Sequence, residues 1–412
     1  MIFRRNSISI FQFNLYEVSL PITNNKTMNY FSSDFKLGIL GGGQLGKMLL
    51  FDTRKFDIQT YVLDPSDEAP CKIACNKFFQ GDLMDFHTVY TFGKQVDVLT
   101  FEIELVNIEA LEKLENEGKK IFPSPKTLKL IQNKGVQKDF YKKNNIPTSD
   151  YKRFDNLKKM VVQIIDSKLK FPFVWKCTQF GYDGTGVKII RKLEDLDNLP
   201  NVECIAEEMI KFKNELAVIV CRSPSGEIKT YPVVEMEFHP EANQVEYVIC
   251  PARIDDKVAA KARAIALDVS EKFNHVGLLA VEMFQTYDDE ILINEVAPRP
   301  HNSGHYSIEA SYTSQFENHL RAILDLPLGN TNSKVAGIMV NLVGEEGFSG
   351  DVIYEKIEEI ISWNGVTPHI YGKKQTRPFR KMGHVTIVNE DINKARKIAE
   401  DVKNTIRVIS VQ

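Results

Sequence analysis

The stretch LLAVEMFQTYDDEILINEVAPRPHNSGH, residues 278–305, carries the reading of the fold. Two β-rich apolar runs, LLAVEMF and EILINEVA, flank the polar TYDDE, which reads as a hairpin turn. If the turn is centred on Asp288 and Asp289, Glu282 and Glu295 lie directly opposite each other. Their Cβ atoms would then be ~5 Å apart, and like charges facing at that distance oppose pairing. A divalent cation between them removes the conflict, and Mg²⁺ (or Mn²⁺) favours one or two carboxylates completed by phosphate oxygens. Asn294 adds a neutral oxygen. The alternative is an exposed hairpin with two solvated glutamates, and the apolar runs around both argue for burial. With a buried facing pair, removing either carboxylate should leave the ligand-free protein as stable as before, or slightly more so.

Upstream, FPFVWKC is a strand ending near Lys176, followed by the glycine loop Gly181-Tyr182-Asp183-Gly184-Thr185-Gly186 and a second strand, VKIIR. Backbone N–H groups of such a loop can close over a triphosphate while a lysine on the preceding strand neutralises it. No G-K-[ST] opens a helix here, so this is not a Walker A loop; a solvated hairpin loop is the other reading. CIAEEMI places Glu207 and Glu208 at a strand end, where a carboxylate can accept from an adenine amino group and the backbone near Ile210 can read the ring edge. Glu215 is placed to accept from ribose hydroxyls. A solvated acidic edge is the plain alternative.

Near the start, KLGILGGGQLG gives a strand, a tight turn and a helix. Gly41, Gly43 and Gly46 satisfy G-x-G-x-x-G, and Asp64 closes the next strand, which is the dinucleotide fingerprint in letter and context. A nicotinamide-dependent oxidoreductase is therefore one reading. Against it stands the separate nucleotide site downstream, and Gln44 beside the loop is placed to reach a ligand.

The chain has 412 residues, 43% hydrophobic and 26% charged, the balance of a globular protein with several cores. Its formal net charge of −3 argues against nucleic acid as a partner. No apolar run approaches the ~20 residues needed to span a bilayer. Six cysteines without framework spacing point to reduced thiols and a cytoplasmic protein. Residues 1–33 lack apolar periodicity and read as a disordered extension, with Met28 as an alternative start. The chain divides into a Rossmann-like parallel sheet domain at 34–130, a central unit at 131–333 with a lid at about 168–212, and a small C-terminal α+β or barrel-like domain at 334–412.

Lysine strand, glycine loop, paired glutamates and the E…NE hairpin occur in the order found in ATP-grasp ligases. GGGQLG, TFEIE (100–104), GYDGTG and NEVAPRPHNSGH together resemble the 5-(carboxyamino)imidazole ribonucleotide synthetases of that superfamily over residues 36–390. The resemblance implies a three-domain α/β ATP-grasp fold, usually dimeric. It also implies ATP- and bicarbonate-dependent carboxylation of 5-aminoimidazole ribonucleotide through carboxyphosphate, with release of ADP and phosphate. Carried over, Lys176, residues 181–186, Glu207, Glu208, Ile210, Glu215, Asn294 and Glu295 hold ATP, while Glu282, Glu295 and Asn294 hold Mg²⁺. Gln44, Leu45, Glu102, Tyr182, Asp183, Arg299 and His301 line the ribonucleotide and bicarbonate pocket. Lys176, Arg299 and His301 are the catalytic candidates, with His301 either moving a proton or forming pocket wall. Lys374 and Arg377, in the cationic segment KKQTRPFRK, are expected to grip the substrate phosphate, with Arg380 and Lys381 as outer support. Whether Glu102 or Glu104 points inward stays open. Thr185 and Phe180 stand where many relatives have Arg and Gly, which touches the lid contacts. The rivals are a formate-dependent glycinamide ribonucleotide transformylase, the oxidoreductase above, and a nucleotide-binding regulator without catalysis.

Overall fold

The computed structural model describes residues 29–179, 186–239 and 244–411. The expected extension lies outside these residues as far as residue 28. Its last part is a correction: Asn29–Ser33 make a hydrogen-bonded turn, with Tyr30 edge-on to Phe35 at 5.3 Å and Phe31 against Phe56 at 6.0 Å. These aromatic rings cover apolar surface that would otherwise be wet.

The first domain is a five-stranded parallel sheet in the spatial order Lys77–Gln80, Gln59–Asp64, Lys36–Leu40, Val98–Phe101, Lys120–Ile121. Leu37 and Ile39 point to one face and meet Leu45, Met48 and Leu49 of the helix Gln44–Lys55. That cluster also takes in Phe316, Leu320 and Ile323 from the helix Gln315–Ile323, so the first domain and the central domain share one core.

The lid is a four-stranded antiparallel sheet, Tyr151–Phe154, Cys204–Glu208, Phe173–Cys177 and Val187–Ile190 in spatial order. Sheet pairing therefore begins at Tyr151, earlier than the expected 168, because Tyr151–Phe154 pairs with Cys204–Glu208. The central unit is built on a nine-stranded sheet. Phe212–Arg222 lies inside it, flanked by Val234–Phe238 and Gly277–Thr286. Its run LAVIVC is apolar on both faces because both are covered. Leu216, Val218 and Val220 face the helix Asp256–Phe273, while Ala217, Ile219 and Cys221 face the other side. The helix begins at the Asp255 cap, whose side chain accepts from Lys257 N, and stops at Asn274 in the left-handed region. Its buried stripe Val258, Ala262, Ala266, Val269 and Phe273 keeps the helical period.

The C-terminal unit is not set apart by a break in the sheet. Val245–Cys250 pairs antiparallel with Ala336–Val343, which pairs with Lys381–Asn389 and then Val366–Ile370. Gly350–Glu355, Gln375–Thr376 and Arg407–Ser410 form a small second sheet, and the helix Ile392–Thr405 packs Ala395, Ala399 and Val402 into a cluster with Ile338, Val340, Val385 and Ile387.

His275 and His319 are completely buried. Burial lowers their pKa values from the ordinary 6.5 to about 4 and about 3. Each is neutral when folded and takes up a proton on unfolding below pH 6.5, so stability falls as pH drops from about 6.5 towards 4. Denaturant midpoints measured across that window should decline steeply. His275→Gln should flatten the slope by the share of one proton; an unchanged slope would remove this account.

Candidate functional site

The hairpin forms as Gly277–Thr286 paired with Ile291–Ala297, and Glu282 is the direct cross-strand partner of Glu295. The turn is not centred where the sequence suggested. Gln285 pairs with Ile291, putting the centre at Asp288, and a bulge between Glu282 and Met283 shifts the register by one residue. Asn294 is the extra residue, and the bulge restores Glu282 opposite Glu295. Asn294 Oδ1 accepts from Lys176 Nζ at 3.1 Å while Glu295 Oε2 meets Lys134 Nζ at 2.6 Å, so two consecutive residues of one strand each take a lysine.

The facing charges are compensated from within the chain. Lys134, which opens the helix Lys134–Lys143 after the Asn133 cap, pairs with Glu295, and His301 Nε2 lies 3.3 Å from Glu282 Oε1. The Lys134 ammonium holds the Glu295 carboxyl well below the usual range. Burial, then the negative charge of Glu295, pushes the Glu282 carboxyl up. Two carboxylates and an amide oxygen are the hard donor set that suits Mg²⁺ with phosphate oxygens. Among the described residues no group of three or more His, Cys, Asp or Glu forms a self-sufficient metal cage.

Behind this pair lies a buried ion cluster. Glu207 Oε2 takes Lys176 Nζ at 3.2 Å, Lys138 Nζ at 3.3 Å and the Ser149 hydroxyl at 3.1 Å. Burial opposes the Glu207 charge, but Lys176 and Lys138 more than offset it and lower its pKa. Lys138 itself is pulled down to about 8 by burial. The carboxylate expected to read adenine is thus engaged with two lysines, and Glu208 next to it is exposed. Glu215 is half-buried near Lys176, and desolvation raises it to about 7. Ile210 sits half-buried between the strands Cys204–Glu208 and Phe212–Arg222. Gly186 keeps a positive φ of 79° at the end of the lid loop; Gly181, Tyr182, Asp183, Gly184 and Thr185 lie outside the described residues.

A cleft of about 550 Å³ opens beside the hairpin and is lined by Gln44, Leu45, Glu102, Glu295, Arg299 and His301, all expected from the sequence. Its lining also includes Lys134, Lys373 and Lys381. Lys374 and Arg377 are not in it: both are exposed, and Lys374 pairs with Glu68 at 2.8 Å. From the cationic segment it is Lys373 and Lys381 that border the cleft, since neighbours in an extended chain face opposite ways.

The glycine turn is filled by the protein itself. Glu102 accepts from Gly43 N at 2.9 Å and from Leu45 N and Gly46 N at 3.1 Å, so its carboxylate occupies the anion site of the helix N-terminus. Asp64 takes Gly42 N at 2.7 Å. A Cβ on Gly43 would stand 2.7 Å from Glu102 Oε1, which is why glycine is needed. The fingerprint reading fails here because a pyrophosphate would compete with an internal carboxylate. Glu104, the other candidate in TFEIE, pairs with Arg299 Nε at 2.8 Å. Both therefore face inward, one as a cap and one as the partner of Arg299.

The ribonucleotide synthetase preATP-grasp domain family matches residues 35–132, the ATP-grasp domain family 139–316, and the phosphoribosylaminoimidazole carboxylase C-terminal domain family 337–398. N5-carboxyaminoimidazole ribonucleotide synthase of Bacillus subtilis is 36% identical over 361 residues, covering 86% of this chain and 91% of the relative. This chain belongs to the N5-carboxyaminoimidazole ribonucleotide synthetase family. The crystal structure of the Thermotoga maritima synthetase superposes with a TM-score of 0.82 at 44% identity, over 92% of this chain and all of that one. That of the Aspergillus clavatus synthase in complex with ADP and 5-aminoimidazole ribonucleotide gives 0.82 at 33%, over 90% and 98%. Phosphoribosylaminoimidazole carboxylase of Candida glabrata is 38% identical over 88% of this chain, which spans 65% of that relative's length. Membership gives this synthetase-family chain the three-domain ATP-grasp fold.

The two carboxylates of the pair are not equivalent. Glu295→Gln leaves Lys134 without its anion, at a cost of about 1 kcal/mol for a pair open to the cleft. Glu282→Gln replaces a carboxyl whose neutral form is already favoured. In urea unfolding without ligands, Glu295→Gln should lower stability and Glu282→Gln should leave it unchanged or raise it. Equal shifts would contradict the assignment of Lys134 to Glu295 alone.

Proposed function

We propose that this chain carboxylates 5-aminoimidazole ribonucleotide to N5-carboxyaminoimidazole ribonucleotide, using ATP and bicarbonate and releasing ADP and phosphate, as part of purine biosynthesis. The observation that carries the reading is the facing pair Glu282 and Glu295 beside a cleft lined by Glu295, Arg299, His301, Lys373 and Lys381. A nucleotide site and an anion-binding cleft thus meet at one hairpin. The Aspergillus clavatus relative binds ADP and 5-aminoimidazole ribonucleotide, which supports the same pair of ligands here.

ATP would lie between the lid sheet and the central sheet, with Lys176 and residues 181–186 on its phosphates and Glu208, Ile210 and Glu215 around the base and ribose. Mg²⁺ (or Mn²⁺) would be held by Glu282, Glu295 and Asn294, and its chemistry is to neutralise charge on the transferring phosphoryl group. Lys176, 3.1 Å from Asn294 Oδ1, places a cation beside the same oxygens. Bicarbonate is a poor electrophile, and phosphorylation to carboxyphosphate makes its carbon open to attack by the exocyclic amine. Arg299, held by Glu104, would present a guanidinium to the anionic intermediate, and His301, paired with Glu282, would either take the proton that leaves the amine or form pocket wall. Lys373 and Lys381 replace Lys374 and Arg377 in our assignment of the ribonucleotide phosphate. A homodimer in the cytoplasm belongs to the same proposal, supported by the family resemblance and by six unpaired cysteines.

The test is ADP release with and without 5-aminoimidazole ribonucleotide, in bicarbonate-containing and bicarbonate-depleted buffer. Release should require both. Lys381→Ala should raise the KM for the ribonucleotide roughly 10- to 150-fold, the loss of one charge-assisted hydrogen bond, and Arg377→Ala should leave it near wild type. The reverse pattern would return the phosphate site to Arg377, and ADP release indifferent to the ribonucleotide would defeat the reading.

A further inference from the structure

His301 and the residues after it form an irregular segment, not a strand or long helix, and irregular backbone is held in place only by specific bonds. One side chain supplies them. The Gln315 carboxamide, completely buried, accepts from His301 N through Oε1 at 2.9 Å and donates through Nε2 to His301 O at 2.7 Å. The same Nε2 lies 2.9 Å from His305 Nδ1, and His305 is itself buried. Gln315 is in turn fixed: its backbone N donates to Ser307 Oγ at 2.9 Å, and it opens the helix Gln315–Ile323, capped by Ser314. Gly304 gives the carboxamide its room, since a Cβ there would stand 2.4 Å from Gln315 Oε1.

We infer that Gln315 is a positioning residue for the reaction proposed above, clamping both backbone polar groups of His301 and so fixing the edge of the cleft that carries Arg299 and His301. The inference rests on that proposed reaction. Only a carboxamide offers a donor and an acceptor on one planar end. A glutamate would set a carboxylate against the His301 carbonyl, an asparagine is one methylene short, and a methionine keeps the volume but gives up all three bonds. The clamp is also uncharged, so it orients the segment without adding to the field at the phosphates.

The experiment uses the full chain with Gln315→Met and, separately, Gly304→Ala, which keeps every hydrogen-bonding side chain and only displaces the carboxamide. Both should lower kcat about 10- to 100-fold, the scale of an ångström misplacement. The KM for the ribonucleotide should rise several-fold while the KM for ATP stays within twofold of wild type. The double variant should be no worse than Gln315→Met alone, because both changes break the same clamp. A merely structural role would reduce the amount of active enzyme and leave both KM values unchanged; that result, or an equal rise in both, overturns the inference. Should Gln315→Met fail to fold, Gly304→Ala decides by the same criterion. Wild-type enzyme that releases ADP indifferently to the ribonucleotide would instead count against the proposed reaction, which separates the two failures.

Discussion

Two like charges brought face to face across a hairpin set the terms for the rest of this structure. Glu282 and Glu295 are register partners across the hairpin at the cleft, and facing carboxyl groups need compensating partners beside them. The groups that compensate the pair come from separate parts of the chain. Lys134 opens the first helix after the parallel-sheet domain, and His301 lies on the loop beyond the hairpin. Lys176, from the lid, reaches the adjoining Asn294. The pair therefore acts as a junction where lid, hairpin and loop are held in one geometry.

The N-terminal glycine turn shows the same electrostatics put to a different use. A strand, a G-x-G-x-x-G turn and a helix create an anion site whatever the ligand, because the first N–H groups of the helix have no partners inside it. Here Glu102 supplies the anion from the next parallel strand's end. The motif predicts the backbone shape and the charge it favours; which anion arrives depends on a residue far away in sequence. That explains why a fingerprint that is satisfied in letter and context still misleads about the cofactor.

Much of the site was legible because it rests on short-range regularities. The hairpin follows from alternation around a polar turn, and Glu282 opposite Glu295 follows from counting. The count succeeded with two compensating departures, a turn centred half a residue earlier and a bulge at Asn294, and bulges leave no clear mark in a single sequence. Lys134 and Lys138 were missed because NKGVQK reads as an ordinary solvated helix start. Only the folded chain sets these lysines against Glu295 and Glu207, more than 60 residues away. Lys373 was passed over and Lys381 was given only an outer supporting role, because a cluster of cations in a loop does not reveal which ones border the cleft. Gln315 carries no sequence signal at all: a glutamine at the start of a helix is usually solvated.

The two walls of the cleft are held by different kinds of bond, and the difference has a physical reason. On the nucleotide side, Lys134, Lys138 and Lys176 are tied to Glu295 and Glu207, so charge is stored close to where phosphates would arrive. On the loop side Arg299 is paired with Glu104, but the backbone around His301 and Asn302 is held by neutral carboxamides. Gln315 holds His301, and Asn302 exchanges two amide hydrogen bonds of 3.0 Å with Asn341 on the strand Ala336–Val343. A charged strut there would compete with Arg299 and His301 for the anionic substrate, and its own counter-ion would have to be buried too. Carboxamides fix backbone and side chain at little electrostatic cost, provided every donor and acceptor is used. The sheet running from the central domain into the C-terminal unit makes that possible, because it brings Asn341 to the loop as part of a rigid strand.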